Sequence, residues 1–233
     1  MQISWITPFS LIDYPWKVSC IVFSPGCNFR CSYCHNSEFV IPEKLKNVYK
    51  NLISEDSFFN FLEKRKWLLD WVSICWGEPT LQNDLYDFCK KIKKMWYKLK
   101  LDTNWRDPKV LKLLIDNGLI DYIAMDIKNE IWNFSKSAWV ELDEKPYLES
   151  INIILNSNID YEFRTTVISG VHTDENIENI AKYISWAKNY YLQNFKSWNT
   201  LKKWFKWKSF SIKELNYFRN LSLKFVNNVW IRN

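Results

Sequence analysis

Three cysteines fall within eight residues, Cys27-Asn28-Phe29-Arg30-Cys31-Ser32-Tyr33-Cys34, and His35 and Asn36 follow directly. An apolar run over 18–23 and a Pro25-Gly26 turn come just before them. The three thiols are therefore collected on one loop at the C-terminal end of a predicted strand. Half of the six cysteines packed into so short a stretch point to metal rather than to disulfides. Three thiolates can each hold one iron of a [4Fe–4S] cubane, which leaves the fourth iron open to a small molecule. The competing reading is a zinc knuckle with His35 as fourth ligand. Zinc sites usually draw on two separated ligand pairs, so the spacing favours the cluster. Cys20, Cys75 and Cys89 are scattered, which argues against a second cluster, and Cys20 and Cys89 read as small buried hydrophobes.

The rest of the chain alternates strand with helix. Strands are expected at 17–24, 71–75, 98–102, 121–127, 161–168 and 190–195, with a short last one at 226–231. Helices are expected from Ser54 as N-cap to residue 66, from Asn83 onward, from Asp107-Pro108 to Gly118, over 146–156, from Thr173 to about 186, and from a Ser211–Glu214 capping box. Residues 1–16 read as a turn-like approach, 37–53 as irregular or weakly helical, and 129–145 as a loop. Repeated strand-then-helix order predicts parallel strands joined by right-handed crossovers. The fold class expected is α/β, a partial (β/α)6 TIM-like barrel with its site at the C-terminal strand ends. Polar groups gather at those ends: the thiols, Glu78, Asp102 and Asn104, Asp126 and Lys128, and His172. One domain over 1–233 is expected, its core at about 17–195 and a basic loop and helix at 196–233.

Composition adds one anomaly. The chain of 233 residues has 14 Trp and only 4 Gly. An average chain is about 7% glycine, roughly 16 residues at this length, and the Trp and Gly counts together come close to that. Trp67 and Trp96 stand just past amphipathic helical runs, the slot that Gly118 fills after the next helix and where a left-handed glycine is usual. Trp105 follows Thr103-Asn104, where Asn-Gly is a common turn pair. The expectation is that many or all of these tryptophans are glycine in the organism, with UGA decoded as Gly; the Lys/Asn/Ile-rich composition suits an AT-rich genome. The alternative is genuine core tryptophan.

With these residues in view, the whole chain resembles the anaerobic ribonucleoside-triphosphate reductase activating proteins, glycyl-radical-enzyme activases of the radical S-adenosylmethionine (SAM) superfamily. The resemblance rests on Pro8-Phe9-Ser10-Leu11-Ile12-Asp13-Tyr14-Pro15-Trp16-Lys17 and on Phe23 to Asn36, with its Cys-His-Asn ending. Trp76-Gly77-Glu78-Pro79-Thr80 is similar to the family's Gly-Gly-Glu-Pro-Thr, and Asp102-Thr103-Asn104-Trp105 to Asp-Thr-Asn-Gly. Each departure, Trp16 included, is Trp for Gly. The resemblance implies Cys27, Cys31 and Cys34 as cluster ligands and reductive cleavage of SAM to a 5′-deoxyadenosyl radical. It implies backbone contacts to the cofactor from Trp76, Gly77, Glu78 and Pro79, where a real Trp76 indole should obstruct binding. It implies Tyr33 near adenine, and Asp102, Asn104, Asp126 and Lys128 near the ribose and carboxylate. Arg164 and Gln193 are weaker carry-overs, and His172 reads as a loop histidine. No cysteines lie between Cys34 and Cys75, where larger activases carry a ferredoxin-like insert.

The implied activity is formation of a glycyl radical on the large subunit of an anaerobic ribonucleotide reductase, with a flavodoxin- or ferredoxin-type electron donor. Alternatives with the same chemistry are a pyruvate formate-lyase-type activase and a small-molecule enzyme of the deazaguanine-synthase kind. From another class stands a zinc-binding nucleic-acid module using the Lys-rich stretch 196–213 (Lys196, Lys202, Lys203, Lys206, Lys208), though its lysines lack the interleaved stacking aromatics of such modules. Net charge is +6, compatible with an acidic protein partner; no nucleic-acid partner is expected. Residues 1–10 show no signal pattern and no apolar run reaches the roughly 18 residues of a membrane span, so a cytoplasmic protein without membrane contact is expected.

Overall fold

The computed structural model describes residues 1–14, 17–105, 107–141, 143–198, 200–202 and 207–233. Trp16, Lys203 and Lys206, singled out above, lie outside the described residues. The chain forms two compact units. The first comprises Met1–Asn28, Glu38–Ile123 and Asn158–Asp160, the second Phe29–Ser37, Ala124–Ser157 and Tyr161–Asn233.

In the first unit, β1 (Trp5–Ser10) runs antiparallel to β2 (Ser19–Phe23), with Ile6 opposite Val22. β2 pairs in parallel with β3 (Trp71–Cys75), and β3 with β4 (Lys98–Thr103). Every residue of β2 and β3 is buried. Neither strand alternates apolar with polar, and Ser19 and Ser73 are their only polar residues: a parallel strand covered on both faces has no solvent side to mark with polar residues. The helices are α1 (Pro42–Lys50), α2 (Glu55–Glu63), α3 (Leu85–Lys94) and α4 (Pro108–Asp116). Ser54 caps α2 by accepting from the Ser57 amide, and Asp107 caps α4 by accepting from Lys109 and Val110. Buried Phe58 of α2 and Phe88 of α3 stack with centroids 5.4 Å apart.

β5 (Tyr122–Asp126) starts in the first unit and ends in the second. There, β6 (Asp160–Val167), β7 (Tyr190–Asn194) and β8 (Val229–Arg232) pair in parallel. The helices are α5 (Phe134–Ala138), α6 (Glu144–Leu155), α7 (Asp174–Tyr183) and α8 (Ile212–Ser222). Capping boxes Thr173–Asn176 and Ser211–Glu214 start the last two. Among the described residues no helix is long and apolar enough to cross a membrane.

Four segments differ from expectation. β1 occupies part of the supposed turn-like approach; its residues are mostly exposed or half-buried, so no apolar alternation announces it. α1 forms within 37–53 although none of its residues is fully buried, and Pro42 at its first turn was the available signal. The N-cap position of α3 is Asp84, not Asn83. The segment 129–145 contains a 3₁₀ turn and α5 rather than loop alone.

Backbone torsions bear on the tryptophans. Among the described residues, six non-glycine residues have left-handed φ, and all six are Trp: Trp67 (68°), Trp76 (53°), Trp96 (70°), Trp105 (74°), Trp139 (54°) and Trp186 (68°). The four glycines share that region, at 88°, 61°, 64° and 88°. For an L-residue it costs roughly 1–2 kcal/mol, and only glycine enters freely.

Candidate functional site

In the first unit the site is built from the exits of β2, β3 and β4. The Ser24 amide donates to Cys75 O (3.1 Å), the Ser24 hydroxyl to Trp76 O (2.6 Å) and the Glu78 amide to Gly26 O (2.7 Å). The two exit loops thus touch through their backbones. A Cβ on Gly77 would sit 2.3 Å from Gly26 O and 2.5 Å from Ser24 O, so only glycine fits. The Trp76 indole lies edge-on to Phe23 (4.2 Å between centroids) and near Phe39 (6.1 Å).

Glu78 is buried, and its carboxylate accepts from Thr80 N (3.1 Å), Thr80 Oγ1 (2.6 Å), Thr103 Oγ1 (2.7 Å) and Asn104 N (2.6 Å). Burial pushes its pKa up while these four donors pull the other way. The side chain is thus spent on locking the β3 exit to the β4 exit. Pro79 is buried and opens the 3₁₀ turn Pro79–Leu81. Asn104, so held, sends Nδ2 to Asn28 Oδ1 (2.8 Å) and toward Cys27 Sγ (3.6 Å). Asp102 pairs with the buried Lys100 at 2.5 Å.

In the second unit, Cys31 is buried and Cys34 half-buried, with the Cys34 amide on Cys31 O (3.0 Å). The loop is pinned where Arg30 N donates to Ala138 O (3.0 Å) and Phe29 meets Phe134 edge-on (5.4 Å). Asp126 receives Lys128 Nζ at 2.8 Å and Arg164 Nε at 2.9 Å. Burial opposes ionisation of Asp126, but the two cations outweigh it and hold its pKa at about 2. Burial likewise works against the charge on Lys128, and Asp126 reverses this and raises it. Burial pushes the Cys31 thiol up to about 12, with Lys128 pulling it down. His172 is buried; its Nδ1 accepts from Ile168 N (3.1 Å) and its Nε2 donates to Lys128 O (3.1 Å). Burial lowers its pKa to about 4, so the ring is neutral and braces the Lys128 backbone. Gln193 lies on β7 opposite Thr166.

Sequence reasoning missed three supports. Lys100 shares a strand face with Asp102, two residues on, and that spacing was the signal. His172 has a structural role toward Lys128 that no local pattern marks. Buried Glu162 accepts both arms of Arg232 (2.8 Å each) and lies 3.9 Å from Arg164 Nη1.

Among the described residues, buried polar atoms without a hydrogen-bond partner include Asn104 Oδ1 in the first unit and, on the thiol loop in the second, Ser32 Oγ and Tyr33 Oη. A buried polar atom left unpaired is costly, so such atoms mark where a ligand group fits. With three thiols on one loop and a backbone cradle at Gly77 that excludes a Cβ, the residues fit a thiolate-held cluster and a small polar cofactor.

A model of the radical SAM superfamily matches residues 21–187, and the chain belongs to that superfamily. It is a radical SAM enzyme, and its cofactors are a [4Fe–4S] cluster and SAM. It is 31% identical over 239 residues to MJ1227 of Methanocaldococcus jannaschii, provisionally named a glycyl-radical enzyme activating enzyme. That match covers 99% of this chain and 95% of the relative. MJ1632 of the same organism, with the same provisional name, is 31% identical over 202 residues, covering 83% of this chain and 72% of its own. Among solved structures, Streptococcus suis SuiB bound to the precursor peptide SuiA aligns with TM-score 0.67 at 13% identity, over 91% of this chain; the chain spans 48% of SuiB. TYW1 with a lysine-pyruvate adduct aligns with TM-score 0.57 at 17% identity, over 89% of this chain and 72% of TYW1. These likenesses show the fold, α/β with parallel strands of the radical SAM type.

Proposed function

We propose that this enzyme activates a glycyl-radical enzyme, and specifically the large subunit of an anaerobic ribonucleoside-triphosphate reductase. The carrying observation is the likeness to MJ1227 along 99% of this chain, joined to the Cys-His-Asn ending of the thiol loop. When bound, the cluster and SAM supply one-electron cleavage of SAM to a radical that takes a hydrogen atom from a backbone glycine. Cys27, Cys31 and Cys34 hold the cluster in this reading. Lys128, beside buried Cys31, eases the charge of its thiolate, and His172 fixes the Lys128 backbone. Gly77 admits the cofactor to the backbone of 76–79. Glu78 aims Asn104; in this reading the further cofactor-binding candidates are Asp102 in the first unit and Tyr33, Asp126 and Arg164 in the second.

The test is anaerobic incubation with SAM and a reductant, once with the reductase subunit and once with pyruvate formate-lyase, followed by electron paramagnetic resonance. A glycyl radical on the reductase supports the proposal. A radical on pyruvate formate-lyase alone would transfer the chain to the other activases.

The reading includes glycine in the cell at the tryptophan positions of left-handed backbone. Six of six such non-glycine residues being Trp is what supports it. An intact mass of the protein from its native host checks this; a mass carrying 14 indoles contradicts it.

A further inference from the structure

In the second unit, charged side chains form a run of alternating sign. Arg232 on β8 gives Nη1 and Nη2 to the two oxygens of Glu162, each at 2.8 Å. Glu162 Oε1 lies 3.9 Å from Arg164 Nη1. Arg164 Nε lies 2.9 Å from Asp126 Oδ1, and Lys128 Nζ lies 2.8 Å from Asp126 Oδ2. Glu162 and Arg164 are two residues apart on β6 and so share a face. A buried ion pair is weak evidence for stability, so a run of five charges calls for another role.

Arg164 stands between two carboxylates. The Glu162 side chain is 2% exposed, and a charge so buried needs a cation beside it. Arg232 supplies one through a bidentate grip, the strong arrangement for a guanidinium and a carboxylate. Its guanidinium is held in turn over the Tyr191 ring, 3.6 Å from the centroid. Without Arg232, the cation left beside Glu162 is Arg164. From 3.9 Å, a movement of about 1 Å brings it to hydrogen-bond distance. Asp126 would then keep Lys128 but lose its guanidinium. The Glu162 charge, no longer matched by its own cation, would be felt at Asp126 and Lys128 as well.

We propose that Arg232 is a positioning residue for SAM binding: by neutralising Glu162 it leaves Arg164 to Asp126, so that Arg164 and Lys128 serve the carboxylate of bound SAM. This rests on the reading of Asp126, Lys128 and Arg164 as cofactor residues. Arg232 acts through Glu162 and Arg164, from the last strand of the chain.

The experiment uses the cluster-loaded chain with glycine at all 14 Trp positions. SAM binding is read by calorimetry without reductant, and urea midpoints report the fold. Arg164→Gln and Arg232→Gln are each expected to weaken SAM binding at least tenfold. The double variant Glu162→Gln/Arg232→Gln is expected to bind within threefold of the parent, because no second carboxylate then competes for Arg164. That recovery separates positioning from bracing. If the Arg232–Glu162 pair only ties β8 to β6, the double variant binds SAM as weakly and unfolds as readily as Arg232→Gln, or more so, and the proposal is overturned. Arg232→Gln binding within threefold of the parent, beside a weakened Arg164→Gln, overturns the proposal while leaving the cofactor reading of Arg164 in place. Parent-like binding by Arg164→Gln brings down that reading and the proposal with it.

Discussion

Replacing Trp67, Trp96 and Trp186 together by glycine should stabilise the protein. The three have φ of 68°, 70° and 68° and are 96%, 92% and 81% exposed, so removing their indoles opens no cavity. Relief of left-handed strain is worth roughly 1–2 kcal/mol per site. Glycine returns part of this through the extra freedom of the unfolded chain, about 0.4–1 kcal/mol per site. The net expectation is about 0.5–1 kcal/mol each, or about 2 kcal/mol for the triple variant. For a chain of this size that is a rise in Tm of roughly 4–8 °C. Urea unfolding followed by circular dichroism reads it, with two controls. The corresponding triple Trp→Ala variant keeps a Cβ in the left-handed region and should gain little. Trp132, 85% exposed but outside the left-handed set, should gain nothing as Trp132→Gly. Equal stabilisation by Ala and Gly, or a destabilised Gly variant, would refute the backbone argument and leave exposed indoles as the whole explanation.

Gly77→Ala should be far more costly than Gly118→Ala. Both glycines have left-handed φ, but a Cβ at Gly118 meets nothing within 4 Å, whereas at Gly77 it meets two carbonyl oxygens under 3.0 Å away. Gly118→Ala should lose about 1 kcal/mol, and Gly77→Ala at least about 2 kcal/mol more together with SAM binding; similar denaturation midpoints for the two would contradict the cradle. His172 has its pKa lowered from 6.5 to about 4 by burial, so the folded state binds fewer protons than the unfolded chain between these values. Its contribution is complete above pH 6.5 and is lost as pH falls toward 4, at most about 3 kcal/mol. In His172→Gln, unfolding free energies measured at pH 7 and pH 4.5 should differ by correspondingly less than in the parent; an unchanged difference assigns the acid sensitivity elsewhere.

What the sequence made legible was local. The thiol loop, the Gly77-Glu78-Pro79-Thr80 turn and the caps at Ser54, Asp107, Thr173 and Ser211 depend on residues within a few positions of each other, so spacing alone exposes them. The repeated strand-then-helix order likewise signalled parallel strands, as β2–β3 and β3–β4 are. β1 stayed hidden because a strand that is largely exposed carries no periodic signal. The supports of the site were hidden for another reason: Arg232–Glu162, Glu162–Arg164 and Arg164–Asp126 join residues far apart in the chain. His172 shows the limit well. The sequence placed it as a loop histidine, but that both ring nitrogens bond backbone at Ile168 and Lys128 is revealed only by the fold.

The most direct test of the central claim is reductive cleavage of SAM by the reconstituted protein. The chain with glycine at all 14 Trp positions is loaded with iron and sulfide under anaerobic conditions, reduced with dithionite and given SAM, with Cys31→Ala beside it. The account predicts a brown protein that forms 5′-deoxyadenosine, and a variant that retains neither full iron nor activity. A colourless protein that binds zinc, holds no iron and yields no 5′-deoxyadenosine would contradict it and return Cys27, Cys31, Cys34 and His35 to a structural metal site.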